Sequence, residues 1–163
     1  MRHIISILIE NESGALSRVA GLFSARGYNI ESLAVAVTED PSLSRITLVT
    51  RGNEDIIEQI TKQLNKLIDV VKLIDLAESD HIERELMMVK IKTSEHTRAE
   101  IRSLADIFRG KILDVTPTSY VVEITGPSEK LDAFVAAIEP ETIVEVVRSG
   151  PTGISRGEKG LHL

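Results

Sequence analysis

The chain has 163 residues, of which 42% are hydrophobic, 27% are charged and only 3% are aromatic, a composition typical of a folded globular protein with an aliphatic core. Its 19 basic and 25 acidic residues give a net charge of −6, which disfavours a nucleic acid or an anionic membrane as the main partner. The absence of cysteine excludes disulfides, thiolate nucleophiles and cysteine metal sites, and suits a reducing compartment.

The N-terminal sequence MRHIISILIENESG contains a strand-like apolar run that is too short for the hydrophobic region and cleavage site of a signal peptide. No apolar run in the chain approaches the roughly 18 residues that a membrane-spanning helix needs. We therefore expect a cytoplasmic protein.

The first half of the chain predicts four strands and two helices. Isoleucine dominates the first apolar run, which is typical of a buried strand, and the next apolar residues recur at the i, i+3, i+4, i+7 spacing of a helix. In chain order we predict a strand over 4–9, a helix over 15–26, strands over 30–37 and 45–51, a helix from 57 to 67 and a strand over 70–76.

After the polar segment ESDHIERE the same order of elements begins again. We predict a strand over 85–92, a helix around 101–108, strands over 111–115 and 120–125, a helix around 131–138 and a strand over 143–148. The sequence thus predicts an α+β protein of two tandem ferredoxin-like βαββαβ units. The first domain is expected at 1–77 and the second at 78–163, with GPTGISRGEKGLHL as a flexible tail.

The first predicted strand is apolar on both faces. Ile5, Ile7 and Ile9 lie on one face, and Ile4 and Leu8 lie on the other. Right-handed crossovers place both helices of such a unit on one face of the sheet, so the other face needs a cover. We expect a partner surface there, and the alternative is that the second unit of the same chain covers it.

The sequence offers few residues for catalysis or for binding a metal. The four histidines have no metal-ligand spacing, and we expect them on the surface: His3, His81, His96 and His162. The chain lacks a GxSxG nucleophile motif, and its glycine-rich tail lacks the GxxxxGK[ST] order of a phosphate-binding loop. We therefore predict no catalytic site, no metal site and no cofactor in this chain.

The start of the first helix is the strongest candidate for a binding site. Backbone N–H groups at Gly14, Ala15 and Leu16 are expected to lack helical partners, and the helix dipole favours an anion there. Gly14 has no side chain to block a carboxylate, and the amides of Asn11 and Asn29 could serve the two charges of an amino acid. The alternative is that these residues only cap the helix and form turns.

The stretch ISILIENESGALSRVAGLFSARGYNIESLAVAVTEDPSLSRITLV resembles the ACT domain of the small, regulatory subunit of bacterial acetohydroxyacid synthase, also called acetolactate synthase. Four later segments resemble the second domain of that subunit, so the resemblance covers nearly the whole chain: ERELMMVKI, IFRGKILDVTPTSYVVEITG, KLDAFVAAI and IVEVVRSGPTGISRG.

This resemblance implies a non-catalytic subunit of branched-chain amino-acid biosynthesis. Such a subunit binds and activates the catalytic large subunit and confers feedback inhibition by valine. Thiamine diphosphate, Mg and FAD are then expected only in the catalytic partner. The resemblance also implies a homodimer through the ACT domains, with valine at the interface. Asn11, Gly14, Ala15 and Leu16 would hold its polar end, while the region of Asn29 and Ile30 would approach from the other chain.

Two other functions are open from the sequence. The first is a free-standing ACT-domain amino-acid sensor that acts on another protein or on transcription, although the acidic charge and the lack of a basic helix argue against DNA binding. The second is a small enzyme on a ferredoxin-like fold, which the poor set of catalytic candidates disfavours.

Overall fold

The computed structural model describes residues 1–163, which form two compact units. Unit 1 consists of Met1–Ile82 together with Thr152–Leu163, and unit 2 consists of Glu83–Pro151. This division differs from the predicted one, which placed all of 78–163 in the second domain. The difference arises because the C-terminal segment packs on unit 1 rather than leaving it as a free tail.

The first repeat forms a four-stranded antiparallel sheet with two helices. Its strand order is β2-β3-β1-β4, so β2 and β4 are the two edges. The elements are β1 (Arg2–Glu10), α1 (Ala15–Ala25), β2 (Ser32–Val37), β3 (Leu43–Arg51), α2 (Glu54–Asn65) and β4 (Val70–Asp75).

The second repeat has the same architecture, with strand order β6-β7-β5-β8. Each helix again follows a strand and packs back onto the sheet. The elements are β5 (His81–Lys92), α3 (Arg98–Ile107), β6 (Lys111–Val115), β7 (Ser119–Gly126), α4 (Ser128–Ala136) and β8 (Ile143–Arg148), followed by β9 (Thr152–Ser155), which belongs to unit 1.

Each unit has its own apolar core between one face of the sheet and both helices. In unit 1 the buried side chains come from alternate positions of β1 and β3 and from the apolar stripes of α1 and α2: Ile5, Ile7, Ile9, Ile46, Leu48, Val19, Phe23, Ile57, Ile60 and Leu64. In unit 2 they come from β5, β7, α3 and α4: Met87, Val89, Ile91, Tyr120, Val122, Ile124, Ile101, Ala105, Leu131 and Phe134.

The C-terminal segment covers part of the second face of the unit 1 sheet. Ile4 and Val49 on that face pack with Leu76, and Gly153 of β9 lies against the Leu76 and Ile4 side chains, close enough that a Cβ there would be 2.7 Å from Leu76 Cδ1. Arg45 Nη2 donates to the Gly153 carbonyl at 2.9 Å. The sequence correctly indicated that this face needs a cover, but did not identify the chain's own C-terminal segment as one.

A buried carboxylate organises unit 2 where β5, α4 and β8 meet. Arg148 makes a bidentate pair with Glu85, with Nε–Oε1 at 2.9 Å and Nη2–Oε2 at 3.0 Å, and Ser128 Oγ donates to Glu85 Oε2 at 2.9 Å. Burial by itself raises the pKa of Glu85, but the hydrogen bonds from Arg148 and Ser128 outweigh it and leave the pKa below its ordinary value. Glu85 is therefore ionised in the folded protein at neutral pH.

Candidate functional site

Helix α1 begins without a side-chain cap. Gly14 is its N-cap residue, with a left-handed backbone (φ 86°), and the first turn of the helix contains no acidic residue. Helix α2 differs, because the Asn53 side chain accepts from the Ile56 N–H and two acidic residues lie in its first turn. No side chain of the first turn of α1 therefore compensates the positive end of its helix dipole. In α2 the Asn53 cap and the two acidic residues do so.

Two backbone amides at the start of α1 have no protein partner. The Ala15 N–H donates to the Glu12 carbonyl at 3.2 Å, and the Arg18 N–H makes the first helical bond, to the Gly14 carbonyl, at 2.9 Å. The amides that remain for a ligand are those of Leu16 and Ser17. Of the predicted site residues, Leu16 therefore offers a free amide, while that of Ala15 is already used inside the turn.

Asn11 is held by the hairpin between β2 and β3. Its backbone N–H donates to the Ser42 carbonyl at 2.7 Å, and its side-chain Nδ2 donates to the Pro41 carbonyl at 3.0 Å. The side chain is exposed, and its Oδ1 has no partner in the chain. Asn11 can therefore accept a hydrogen bond from a cationic group such as an ammonium, next to amides that suit a carboxylate.

An ion pair near this helix start was not predicted from the sequence. Arg18 donates to Asp69 through Nε at 2.5 Å and through Nη2 at 3.1 Å, and the hydrogen bond from Arg18 lowers the pKa of Asp69. A Cβ added to Gly14 would lie 2.9 Å from Arg18 Nη1. The Arg18 guanidinium therefore lies beside the turn that Gly14 makes. No local pattern could reveal the pair, because its residues are 51 positions apart.

Asn29 and Ile30 lie on the connection between α1 and β2. Asn29 is exposed, and its carbonyl accepts from Thr50 Oγ1 at 2.7 Å, whereas Ile30 is half-buried against the core of unit 1. No hydrogen bond or ion pair joins either residue to the loop before α1. Within one chain Asn11, Gly14, Ala15 and Leu16 thus lie at the start of α1, whereas Asn29 and Ile30 follow its other end.

A large cavity of unit 1 lies elsewhere. It has a volume of about 680 Å³ and is bounded by the β2–β3 hairpin and the C-terminal segment, with Leu8, Val37, Leu43, Arg45 and Leu161 in its lining. None of the six predicted site residues lines it. The start of α1 is an exposed surface in one chain, so a ligand there would need a second surface to enclose it.

Two observations concern the polar residues of the chain. No group of three or more His, Asp or Glu side chains is placed to hold a metal ion. The prediction that all histidines lie on the surface is wrong for His3, which is buried and has Nδ1 2.6 Å from Asp75 Oδ2. The reason is that β1 begins before the predicted strand, so His3 lies inside it. No helix is long and apolar enough to cross a membrane.

Comparison with known proteins identifies the family. The family model described as the small subunit of acetolactate synthase matches residues 84–157, and the model of the AHAS small subunit-like ACT domain matches residues 5–72. The acetolactate synthase isozyme 3 small subunit of Salmonella typhimurium is 58% identical over 160 residues, which cover 98% of both chains. The chain belongs to the acetolactate synthase small-subunit family.

Other members of the acetolactate synthase small-subunit family agree with this assignment. The acetolactate synthase small subunit of Haemophilus influenzae is 55% identical over 162 residues, covering 99% of both chains. The crystal structure of the acetolactate synthase small subunit from Thermotoga maritima matches with a TM-score of 0.89 and 37% identity, over 98% of this chain and 99% of that one. These matches confirm the predicted family and fold class, and the family is one of regulatory subunits.

Proposed function

We propose that this chain binds the catalytic large subunit of acetolactate synthase, raises its activity and makes it sensitive to inhibition by valine. In this role the chain regulates branched-chain amino-acid biosynthesis in the cytoplasm without catalysing the reaction itself. Thiamine diphosphate, Mg and FAD belong to the catalytic partner. The observation that carries the effector site is the uncapped start of α1, where free amides of Leu16 and Ser17 follow the loop that contains Asn11.

The chemistry of this loop suits a zwitterionic amino acid. The amides of Leu16 and Ser17 and the helix dipole favour the carboxylate, and Asn11 Oδ1 accepts from the ammonium. Apolar groups of a second chain are then needed to hold the side chain. In our proposal Ile30 of the partner chain has this role, and the Asn29 amide beside it reaches the polar end of the ligand, because both residues precede an edge strand that a second copy can reach.

The proposed homodimer forms through β2. This edge strand has the sequence SLAVAV without a charged residue, and Leu33, Val35 and Val37 are 36%, 43% and 56% exposed. An unpaired, uncharged apolar edge is a template for pairing with another strand. Antiparallel pairing of two β2 strands would join two sheets into one and bring the α1–β2 connection of one chain near its partner.

The effector site is tested by the same substitution at two helix starts. Asn11→Ala removes the oxygen proposed to accept from the ammonium, and the loss of a hydrogen bond to a charged group costs about 1.5–3 kcal/mol, or roughly tenfold to a hundredfold in affinity. We expect valine binding, measured by calorimetry on the full chain, to weaken by that factor. The variant should still bind and activate the large subunit, but inhibition by valine should be lost.

Asn53→Ala is the matched control. It removes the cap of α2 and should lower stability by about 1 kcal/mol while leaving valine affinity unchanged. Equal valine affinity in both variants would reject the α1 site. Failure of the full chain to form a stoichiometric complex with the large subunit would reject the regulatory role itself and favour a free-standing sensor.

A further inference from the structure

Unit 2 contains a small cavity lined mainly by cations, although the chain as a whole is acidic. The cavity has a volume of about 340 Å³ and lies where β7 ends and β6 begins. Four cationic side chains, one carboxylate and one hydroxyl line it: Arg84, Arg109, Lys111, Lys130, Glu123 and Thr125. With a net charge of −6 for the chain, this concentration of positive charge is a local feature rather than a property of the surface.

Three of the four cations, Arg109, Lys111 and Lys130, form no ion pair in the structure, although the Glu123 carboxylate also lines the cavity. Lys130 Nζ donates to the Thr125 carbonyl at 3.1 Å, and its stem lies so close to Gly126 that a Cβ there would be 2.6 Å from Lys130 Cδ. The Lys130 ammonium is therefore held at the cavity by neutral groups and keeps its charge available for an anion.

Arg109 occupies a backbone position where glycine is usual. Its φ of 56° lies in the left-handed region, and it is the only residue other than glycine with a positive φ. It follows the C-cap of α3, and the next N–H, that of Gly110, donates back to the Ala105 carbonyl at 2.7 Å. A residue with a Cβ is strained at this position, so an arginine there carries a backbone cost that glycine would avoid.

We propose that this cavity of unit 2 binds the phosphate group of a small molecule, with Arg84, Arg109, Lys111 and Lys130 as its ligands. Guanidinium and ammonium groups that converge on a concave site provide the charge-assisted hydrogen bonds that phosphate oxygens accept. The volume accommodates a phosphate or diphosphate group and lies at the lower end of the range for small-molecule sites. A small anion fits this concave site better than the flat acidic surface of another protein.

The proposal is tested by calorimetry on the full chain at low ionic strength with three probes, namely inorganic phosphate, diphosphate and ribose 5-phosphate. We expect one site per chain, tighter binding of diphosphate than of phosphate, and weaker binding as salt is added. Arg109→Gly removes one ligand and relieves the backbone strain. We expect an unchanged or higher melting temperature together with a loss of affinity of about tenfold or more. Lys130→Gln should reduce affinity by a similar factor.

Arg102→Gln is the matched control, because Arg102 is exposed on the same unit, lies on α3 and does not line the cavity. Its affinity for diphosphate should equal that of the unchanged chain. The proposal is overturned if none of the three probes binds, if Arg102→Gln weakens binding as much as Arg109→Gly, or if the two cavity variants bind normally. Binding of an acidic peptide with no binding of the phosphate probes would also overturn it and would indicate a protein-docking site.

Discussion

The two units share one fold but differ at corresponding edge strands. In unit 1, β2 is regular, pairs with β3 without a register shift and carries no charge. In unit 2, the equivalent strand β6 contains Lys111 and Asp114 and has a register shift between Ile112 and Asp114. Charges and bulges on an edge strand oppose pairing with another chain, and their absence permits it.

The difference bears on the homodimer that we propose. Strand order and core pattern are the same in both units, so neither would favour one unit over the other for pairing with a second copy. The edge strands do differ, because the charges and the register shift of β6 oppose pairing whereas the regular, uncharged β2 permits it. From this comparison we expect association through unit 1, and its edge is where a single substitution should have the largest effect.

The largest expected effect is on association of the chain. Val35→Lys places a charge near the middle of β2, so a two-fold pair of β2 strands would bring two lysines together. Like charges in an interface cost several kcal/mol; a cost of about 4 kcal/mol would weaken the dimer nearly a thousandfold. Analytical ultracentrifugation should show monomers at concentrations where the unchanged chain is dimeric, with the circular dichroism spectrum retained.

Leu113→Lys is the corresponding change on β6, where Leu113 is 53% exposed. Because β6 is already charged and bulged, we expect this variant to associate as the unchanged chain does and to show the same mass in analytical ultracentrifugation. A loss of association in Leu113→Lys with none in Val35→Lys would reverse the comparison and place the interface on unit 2.

Local pattern was sufficient to predict most of the fold from the sequence. The bounds of β6 and β8 agree with the predicted strands, because their apolar runs end at polar turns. Strand β9 was not predicted, since Thr152–Ser155 is short and glycine-containing and its contact with Arg45 spans 108 positions. The left-handed backbone of Gly14, which precedes the helix, was not predicted either, because sequence periodicity does not reveal it.

The next effect concerns the stability of unit 2. Glu85→Gln removes the charge that pairs with Arg148, and breaking a buried ion pair costs about 3–5 kcal/mol. We expect about 3 kcal/mol, at the low end, because the Arg148 side chain is 32% exposed. Hydrogen exchange should show faster exchange in β5 and α4 with unit 1 unchanged. Equal acceleration in both units would show that they unfold as one cooperative body.

Each unit contains a carboxylate with a lowered pKa that should make it less stable in acid. The folded-state pKa of Glu85 and that of Asp69 lie below their ordinary values of 4.5 and 3.8. The stability they contribute is therefore present above those values and is lost as the pH falls through the lower folded values. The urea concentration at half-unfolding, measured from about pH 7 to about pH 3, should decrease as the pH is lowered. The decrease should be less steep in Glu85→Gln than in the unchanged chain. Equal slopes would contradict a depressed pKa for Glu85.

The smallest expected effect on stability compares two glycines of α1. Gly14 has a φ of 86°, so alanine there costs about 1–2 kcal/mol through backbone strain. Its Cβ would also crowd Arg18 and narrow the approach to the free amides. Gly21 lies in the middle of the helix with nothing within 4 Å of a Cβ, so alanine there should stabilise the chain by about 0.5–1 kcal/mol.

Thermal unfolding and valine calorimetry together separate the effect of these substitutions on the helix from their effect on the ligand. We expect Gly14→Ala to lower the melting temperature and to weaken valine binding, and Gly21→Ala to raise the melting temperature with no change in affinity. If Gly14→Ala loses stability but keeps its valine affinity, the left-handed turn serves only the fold. That result would count against the proposed effector site at the start of α1, where the added Cβ would lie 2.9 Å from Arg18 Nη1.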